Sequence, residues 1–257
     1  MSTFVIGNLI DSNKDTAMET QKLENEIREF CLQNYNEKQV QKYTRFFVEG
    51  YDAYGLDQKL MESQRDLWLK EYREPFGLQG FLQLGDKLVR TGKYEEASFA
   101  LWFVNSFSKD FDLQTFEHLG IWMDDGLRNW AHTDMISLDI FSQFLLREIA
   151  SLDDLASWRA ADSKWKRRAV PVSLIKYMQK IDHVDDILSF LSPMMMDPEK
   201  VVRQGLGWFL REAWKKFPAQ VEAYLLLWKD QCGRLIIQYA TEKMSSEQKA
   251  LFKRNQK

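Results

Sequence analysis

The 257-residue chain is 45% hydrophobic and 28% charged, with only 12 Gly and 5 Pro, a balance that excludes a disordered chain and disfavours a turn-rich sheet protein. Its formal net charge of −3 argues at first sight against a polyanionic partner. The distribution says otherwise: residues Lys164 to Lys257 hold 18 bases and 10 acids, against 17 and 28 in the 163 residues before them, so a basic face competes with scattered solvated charge as the reading.

Cys31 and Cys232 are the only cysteines. Two distant thiols make neither a zinc site nor a disulfide framework, which fits a reducing compartment. With no basic-then-apolar leader and no apolar run near the roughly 20 residues that span a bilayer, a cytoplasmic protein without a membrane partner is expected.

In chain order, residues 1–20 are mixed and polar and read as a flexible N-terminal arm, ahead of a single domain over 21–257. Helical periodicity begins near Glu24, where Ile27, Phe30, Cys31 and Tyr35 share a face; Val40, Tyr43, Phe46 and Phe47 form the next apolar set. Similar helices then recur: Lys93 to Phe107, Asn129 to Phe144, Lys164 to Met178, Lys200 to Trp214 and Gly233 to Met244. Their starts are separated by 36, 35, 36 and 33 residues. That period, with two helices per unit, predicts an all-α, HEAT-like repeat α-solenoid, a curved superhelix of paired antiparallel helices. Asp162 or Ser163 is expected to cap the Lys164 helix, Asp197-Pro198 to start the next one, and Pro218 to end it. Pro171 should kink its helix or end its first turn. The Phe and Leu stripes of these helices are core.

Three places resist a purely structural reading. In Trp130-Ala-His-Thr-Asp134 an indole and a carboxylate lie at i and i+4, on one helical face; the competing role for Asp134 is a helix N-cap, with Asn129 and Thr133 as rivals. Lys164-Trp-Lys-Arg-Arg168 places four bases at a helix start, against the helix dipole, unless an anion relieves them; a solvated charge run is the alternative. Gly205 and Gly207, before Trp208, each cost about 1 kcal/mol relative to Ala in a helix, which close packing or a ligand's close approach would justify. Trp208 taken alone reads as core. The spacing adds weight to function: Trp130, Arg168 and Trp208 lie 38 and 40 residues apart, near one repeat each.

On these residues the sequence resembles the DNA alkylation repair enzymes of the AlkD type, from roughly Phe46 to Met244. Trp130-x-x-x-Asp134, Trp165-Lys-Arg-Arg-Ala169 and Val202-Arg-Gln-Gly-Leu-Gly-Trp-Phe-Leu-Arg-Glu212 carry the resemblance, with Tyr54-Gly55-Leu56 and Lys93-Tyr-Glu-Glu96 as weaker landmarks. The resemblance implies a glycosylase that hydrolyses the N-glycosidic bond of N3- and N7-alkylated purines in double-stranded DNA. It implies Asp134 as catalytic carboxylate, Trp130 and Trp208 as its flanking tryptophans, and Arg168 as the base that holds the DNA backbone. No cofactor or metal is implied, and a monomer suffices. Lys164, Lys166, Arg167, Arg203 and Arg211 are the further bases expected to face DNA.

A lesion such as 7-methylguanine is already cationic and departs neutral, so one carboxylate beside the oxocarbenium-like sugar can suffice, helped by indole faces at about 0.5–2 kcal/mol each. The Ala-His-Thr between Trp130 and Asp134 departs from the family pattern, which has a second acid and a branched apolar residue there; His132 is expected to face solvent. The alternative to a glycosylase is a non-catalytic binder of damaged or branched DNA. A protein scaffold would need an apolar inner surface, against which the C-terminal bases speak.

Overall fold

The computed structural model describes residues 2–254, with side chains described from Met18 onward. The arm expected at 1–20 therefore falls mostly on side chains outside the described residues. The described chain is helical, with no strand among the described residues. Its helices are α1 (Ser2–Gln33), α2 (Glu37–Thr44), α3 (Gln58–Arg90), α4 (Tyr94–Asn105), α5 (Leu113–Asp125), α6 (Trp130–Met135), α7 (Ser142–Leu146), α8 (Lys164–Tyr177), α9 (Asp185–Leu191), α10 (Lys200–Lys216), α11 (Pro218–Trp228), α12 (Arg234–Ala240) and α13 (Ser246–Leu251). A π-helical segment, Ile136–Phe141, separates α6 from α7. No helix among the described residues is long and apolar enough to cross a membrane.

The recurring helices begin at Tyr94, Trp130, Lys164, Lys200 and Arg234, each within one residue of the start that the periodicity indicates. The repeat reading holds. Local chemistry explains the boundaries. The Ser163 hydroxyl accepts the Lys166 N–H at 3.3 Å and caps α8, while α10 follows Glu199, whose N–H is held by the Asp197 carboxylate at 2.8 Å. Pro218 occupies the first turn of α11, where its missing N–H has no cost. α8 runs through Pro171 and is not ended there.

The helices gather into two compact units, one of residues up to Asp110 with Asp125–His132, the other of Phe111–Asp124 with Thr133 onward. In the first, α3 packs on α1 and α4. Leu23, Ile27 and Cys31 are fully buried there, and Trp68 meets Phe30 and Phe99 edge to face. α3 is interrupted at Gly77, whose φ of 54° and ψ of −170° lie outside the helical region. The apolar set from Val40 to Phe47 does not behave as a core stripe: α2 buries none of its residues and Phe46 is exposed, leaving only Phe47 buried.

In the second unit α10 lies between α8 and α12, around a core of Leu174, Leu206, Phe209 and Ile236. The glycines of α10 let both neighbours approach. A Cβ on Gly205 would meet the Arg168 side chain at 3.3 Å and Pro171 at 3.5 Å; one on Gly207 would meet the Tyr239 Cβ at 2.4 Å and the Ile236 carbonyl at 2.9 Å. Helix packing thus accounts for both. Gly207→Ala is expected to destabilise the protein by about 1–3 kcal/mol, because overpacking outweighs the better helix propensity of Ala. Gly205→Ala should stay within about 1 kcal/mol of wild type. Urea unfolding of the two variants reads the difference, and equal midpoints would contradict it.

Candidate active site

Trp130 opens α6 and is anchored in the first unit. Its Nε1–H donates to the Phe46 carbonyl at 3.0 Å, and its ring stacks on Phe47 at 5.5 Å between centroids. Phe47 stacks in turn on Tyr51 at 4.5 Å. With 42% of its surface exposed, the indole is fixed yet accessible. A pocket of about 420 Å³ in this unit is lined by Phe47, Tyr51, Tyr94, Asn129 and His132 among others.

The cap of α6 is Asn129, whose Oδ1 accepts the His132 N–H at 2.9 Å. Asp134 is thereby released from the capping role that the sequence left open. His132 does not face solvent, contrary to the expectation: it is 1% exposed and stacks on Tyr94 at 4.5 Å. The hydrogen bonds assign its tautomer. With the Asn129 amide oriented by that cap, its Nδ2–H₂ donates to His132 Nδ1 at 2.8 Å. Nε2 then carries the proton and donates to Ser98 Oγ at 2.9 Å, and Ser98 donates to the Tyr94 carbonyl. A neutral imidazole satisfies every partner.

Burial pushes the His132 pKa down to about 4 from its ordinary 6.5. The unfolded chain takes up a proton near pH 6.5 that the folded chain refuses until about pH 4. The stabilisation is therefore complete above pH 6.5 and is lost as pH falls toward 4, by about 3 kcal/mol in all. Stability measured by urea unfolding from pH 7 to 4.5 should fall more steeply in wild type than in His132→Asn; parallel profiles would contradict the assignment.

The weaker sequence landmarks prove to be partners. Glu95, buried in the first turn of α4, accepts backbone N–H groups from Tyr54 at 2.8 Å, Gly55 at 2.7 Å and Leu56 at 3.2 Å. Tyr54 Oη donates to Glu96 at 2.7 Å. Gly55 has a φ of +76°, and a Cβ there would lie 2.4 Å from the Asn36 carbonyl, so no other residue suits that turn.

In the second unit Asp134 and Arg168 form a two-pronged ion pair, Nε to Oδ1 and Nη2 to Oδ2, both at 2.8 Å. Their side chains are 15% and 8% exposed. Arg168 Nη1 also donates to the Val201 carbonyl of α10 at 2.7 Å. Val201, Gly205 and Trp208 follow at i, i+4 and i+7, so α10 presents the half-buried Trp208 on the face that Arg168 meets. Burial raises the Asp134 pKa, and the guanidinium acts in the opposite direction.

The other bases of the α8 start are also engaged. Lys166 Nζ donates to Asp124 and lies over the Trp158 ring. Arg167 holds Asp197 at 2.6 Å and the Ala161 carbonyl at 2.7 Å. Lys164 lies over the Trp165 ring at 5.5 Å. Arg203 donates to the Asp197 carbonyl at 2.6 Å, and Arg211 pairs with Glu212 and Glu242. The run is neither a solvated charge run nor a row of open cations; three of its four bases each hold an acid about one repeat away.

The first unit thus carries an anchored, exposed indole, and the second a forked acid–guanidinium pair beside a half-buried one. The family model for the DNA alkylation repair enzyme matches residues 28–244, and the chain belongs to that family. Membership implies DNA as substrate. Similar solved structures include a predicted DNA alkylation repair enzyme from Enterococcus faecalis, with TM-score 0.72 at 14% identity over 83% of this chain and 98% of that one. AlkD2 from Streptococcus mutans gives TM-score 0.54 at 20% identity over 82% and 99%. The smu.31 protein of Streptococcus mutans UA159 gives 0.54 at 20% over 73% and 94%. At these identities the likeness concerns the fold. No curated protein matches the chain.

Proposed function

We propose that the protein is a DNA glycosylase that hydrolyses the N-glycosidic bond of cationic N3- and N7-alkylpurines, with Asp134 as its catalytic carboxylate. The observation that carries this reading is a largely buried acid clasped by Arg168, with a narrow exposed edge. The guanidinium fork uses one lone pair on each oxygen and leaves another on each. Those remaining lone pairs are available to a water and to the developing charge on the sugar.

In the proposed reaction the C1′–N bond breaks and its electron pair leaves on the purine, cancelling the purine's positive charge. The Asp134 carboxylate stabilises the oxocarbenium-like sugar and orients a water whose oxygen bonds to C1′; the water's proton passes to the carboxylate or to solvent. Arg168 acts as a positioning residue through its fork. The family resemblance gives Trp130 and Trp208 the role of indole walls beside the sugar. No proton donor to the base is needed, so the enzyme should release 7-methylguanine from a duplex at least about 10²-fold faster than unmodified guanine, whose departure requires protonation. Comparable rates for hypoxanthine and 7-methylguanine would refute the mechanism.

The second reading, a non-catalytic binder of damaged or branched DNA, draws on the same geometry. Both Asp134 oxygens are engaged by Arg168, as in a purely structural clasp.

A further inference from the structure

The bases of α8 are committed to acids or rings, whereas the far end of the same unit holds a cationic groove. Lys229, Arg234, Lys249, Lys253 and Arg254 line a cavity of about 800 Å³ with an apolar floor that includes Ile237 and Phe252. No carboxylate lines it, and none of the five bases forms an ion pair among the described residues. Glu242, on the segment that follows α12, is turned to Arg211 and Lys243 instead.

Three of the five bases are fixed by main-chain carbonyls, which orient a cation without neutralising it. Lys229 donates to the carbonyls of Leu251 and Lys253, at 3.4 and 3.2 Å. Arg254 donates to those of Lys229, at 3.2 Å, and Cys232, and Lys249 to that of Glu242 at 3.1 Å. Arg234 and Lys253 are exposed, and their side chains have no partner among the described residues. Five like charges held together at one groove repel one another in the absence of a polyanion. Lys249, Phe252, Lys253 and Arg254 lie beyond residue 244, where the family match ends, while Lys229, Arg234 and Ile237 lie within it, so the groove is only partly covered by the family match.

We infer that the groove formed by α12, α13 and the end of α11 is a phosphodiester-binding site that grips the DNA backbone independently of sequence and lesion. The inference rests on the DNA-repair reading in taking DNA as the polyanion. It assigns backbone affinity to residues other than the α8 bases.

The test is the salt dependence of binding to an undamaged duplex, comparing wild type with a variant carrying Arg234→Gln, Lys249→Gln and Lys253→Gln. Lys229 and Arg254 are left in place because they hold α13. Each lost phosphate contact removes about 0.9 from the slope of log affinity against log salt. The slope should therefore become shallower by about 2 to 3, and affinity near 50 mM salt should drop roughly tenfold or more. The charge-preserving variant with Arg234→Lys, Lys249→Arg and Lys253→Arg should bind like wild type, which separates charge from misfolding. An unchanged slope in the neutralised variant, or no duplex binding by wild type, would overturn the inference. So would a loss confined to phosphatidylserine vesicles with duplex binding intact. Base release from 7-methylguanine DNA is read separately, so an inactive protein that grips duplex through this groove would refute the glycosylase reading alone.

Discussion

Asp134→Asn is expected to lower the single-turnover rate of base release by about 10²- to 10³-fold, the range for removing one preorganised electrostatic group from a transition state. The isosteric amide keeps one acceptor for Arg168 but carries no charge to set against the sugar cation. The variant also leaves the guanidinium with a weaker partner, so a loss of about 1–3 kcal/mol in stability should accompany the loss of rate. At a temperature where both proteins are folded the kinetic effect should persist in full. A variant that loses stability but keeps its rate would show that the pair is structural and that the catalytic group lies elsewhere.

Arg168→Ala should have the largest effect on stability. It strips a largely buried carboxylate of both hydrogen bonds and leaves the Val201 carbonyl without its donor. Breaking one side of a buried pair typically costs about 3–5 kcal/mol. A cavity against Gly205, where the Arg168 side chain packs, adds to the same sum. Arg168→Lys should recover only part, because an ammonium cannot span both Asp134 oxygens and Val201 with the same planar fork. Lys164→Ala is the contrast, since that side chain lies over the Trp165 ring and its loss should stay near 1 kcal/mol. Urea unfolding of the three variants orders them; a mild Arg168→Ala would mean that the pair is readily replaced by water.

What was legible in the sequence follows from the range of the interactions concerned. Helix starts at Tyr94, Lys164 and Lys200 depend on local periodicity and, for the last two, on Ser163 and Asp197, and those signals lie within a few residues. The pairing of Asp134 with Arg168 across 34 positions was not legible, nor was that of Lys166 with Asp124 across 42 or Arg167 with Asp197 across 30. One repeat separates the partners in each case, and only the folded chain brings acid to base. The bases of Lys164 to Arg168 consequently read as a phosphate-facing run.

His132 failed for the same reason. Its burial depends on Ser98 and Tyr94, which belong to the preceding repeat. The Val40 to Phe47 set failed differently. Its aromatic residues serve the Trp130 anchor through Phe47 and the Phe46 carbonyl, so apolar character there marks a support for an exposed indole and not a helix core. Asn129, a cap candidate already in the sequence, stands three residues before His132, the spacing of the side-chain cap that it forms.

The most direct measurement is the incubation of excess wild-type protein with a duplex carrying a single 7-methylguanine, followed by separation of the free base. The account predicts release well above the spontaneous rate, leaving an abasic site, and its loss in Asp134→Asn. Tight binding of the duplex with release no faster than in buffer would contradict it, and would leave the Asp134–Arg168 pair as the clasp of a DNA-binding repeat protein.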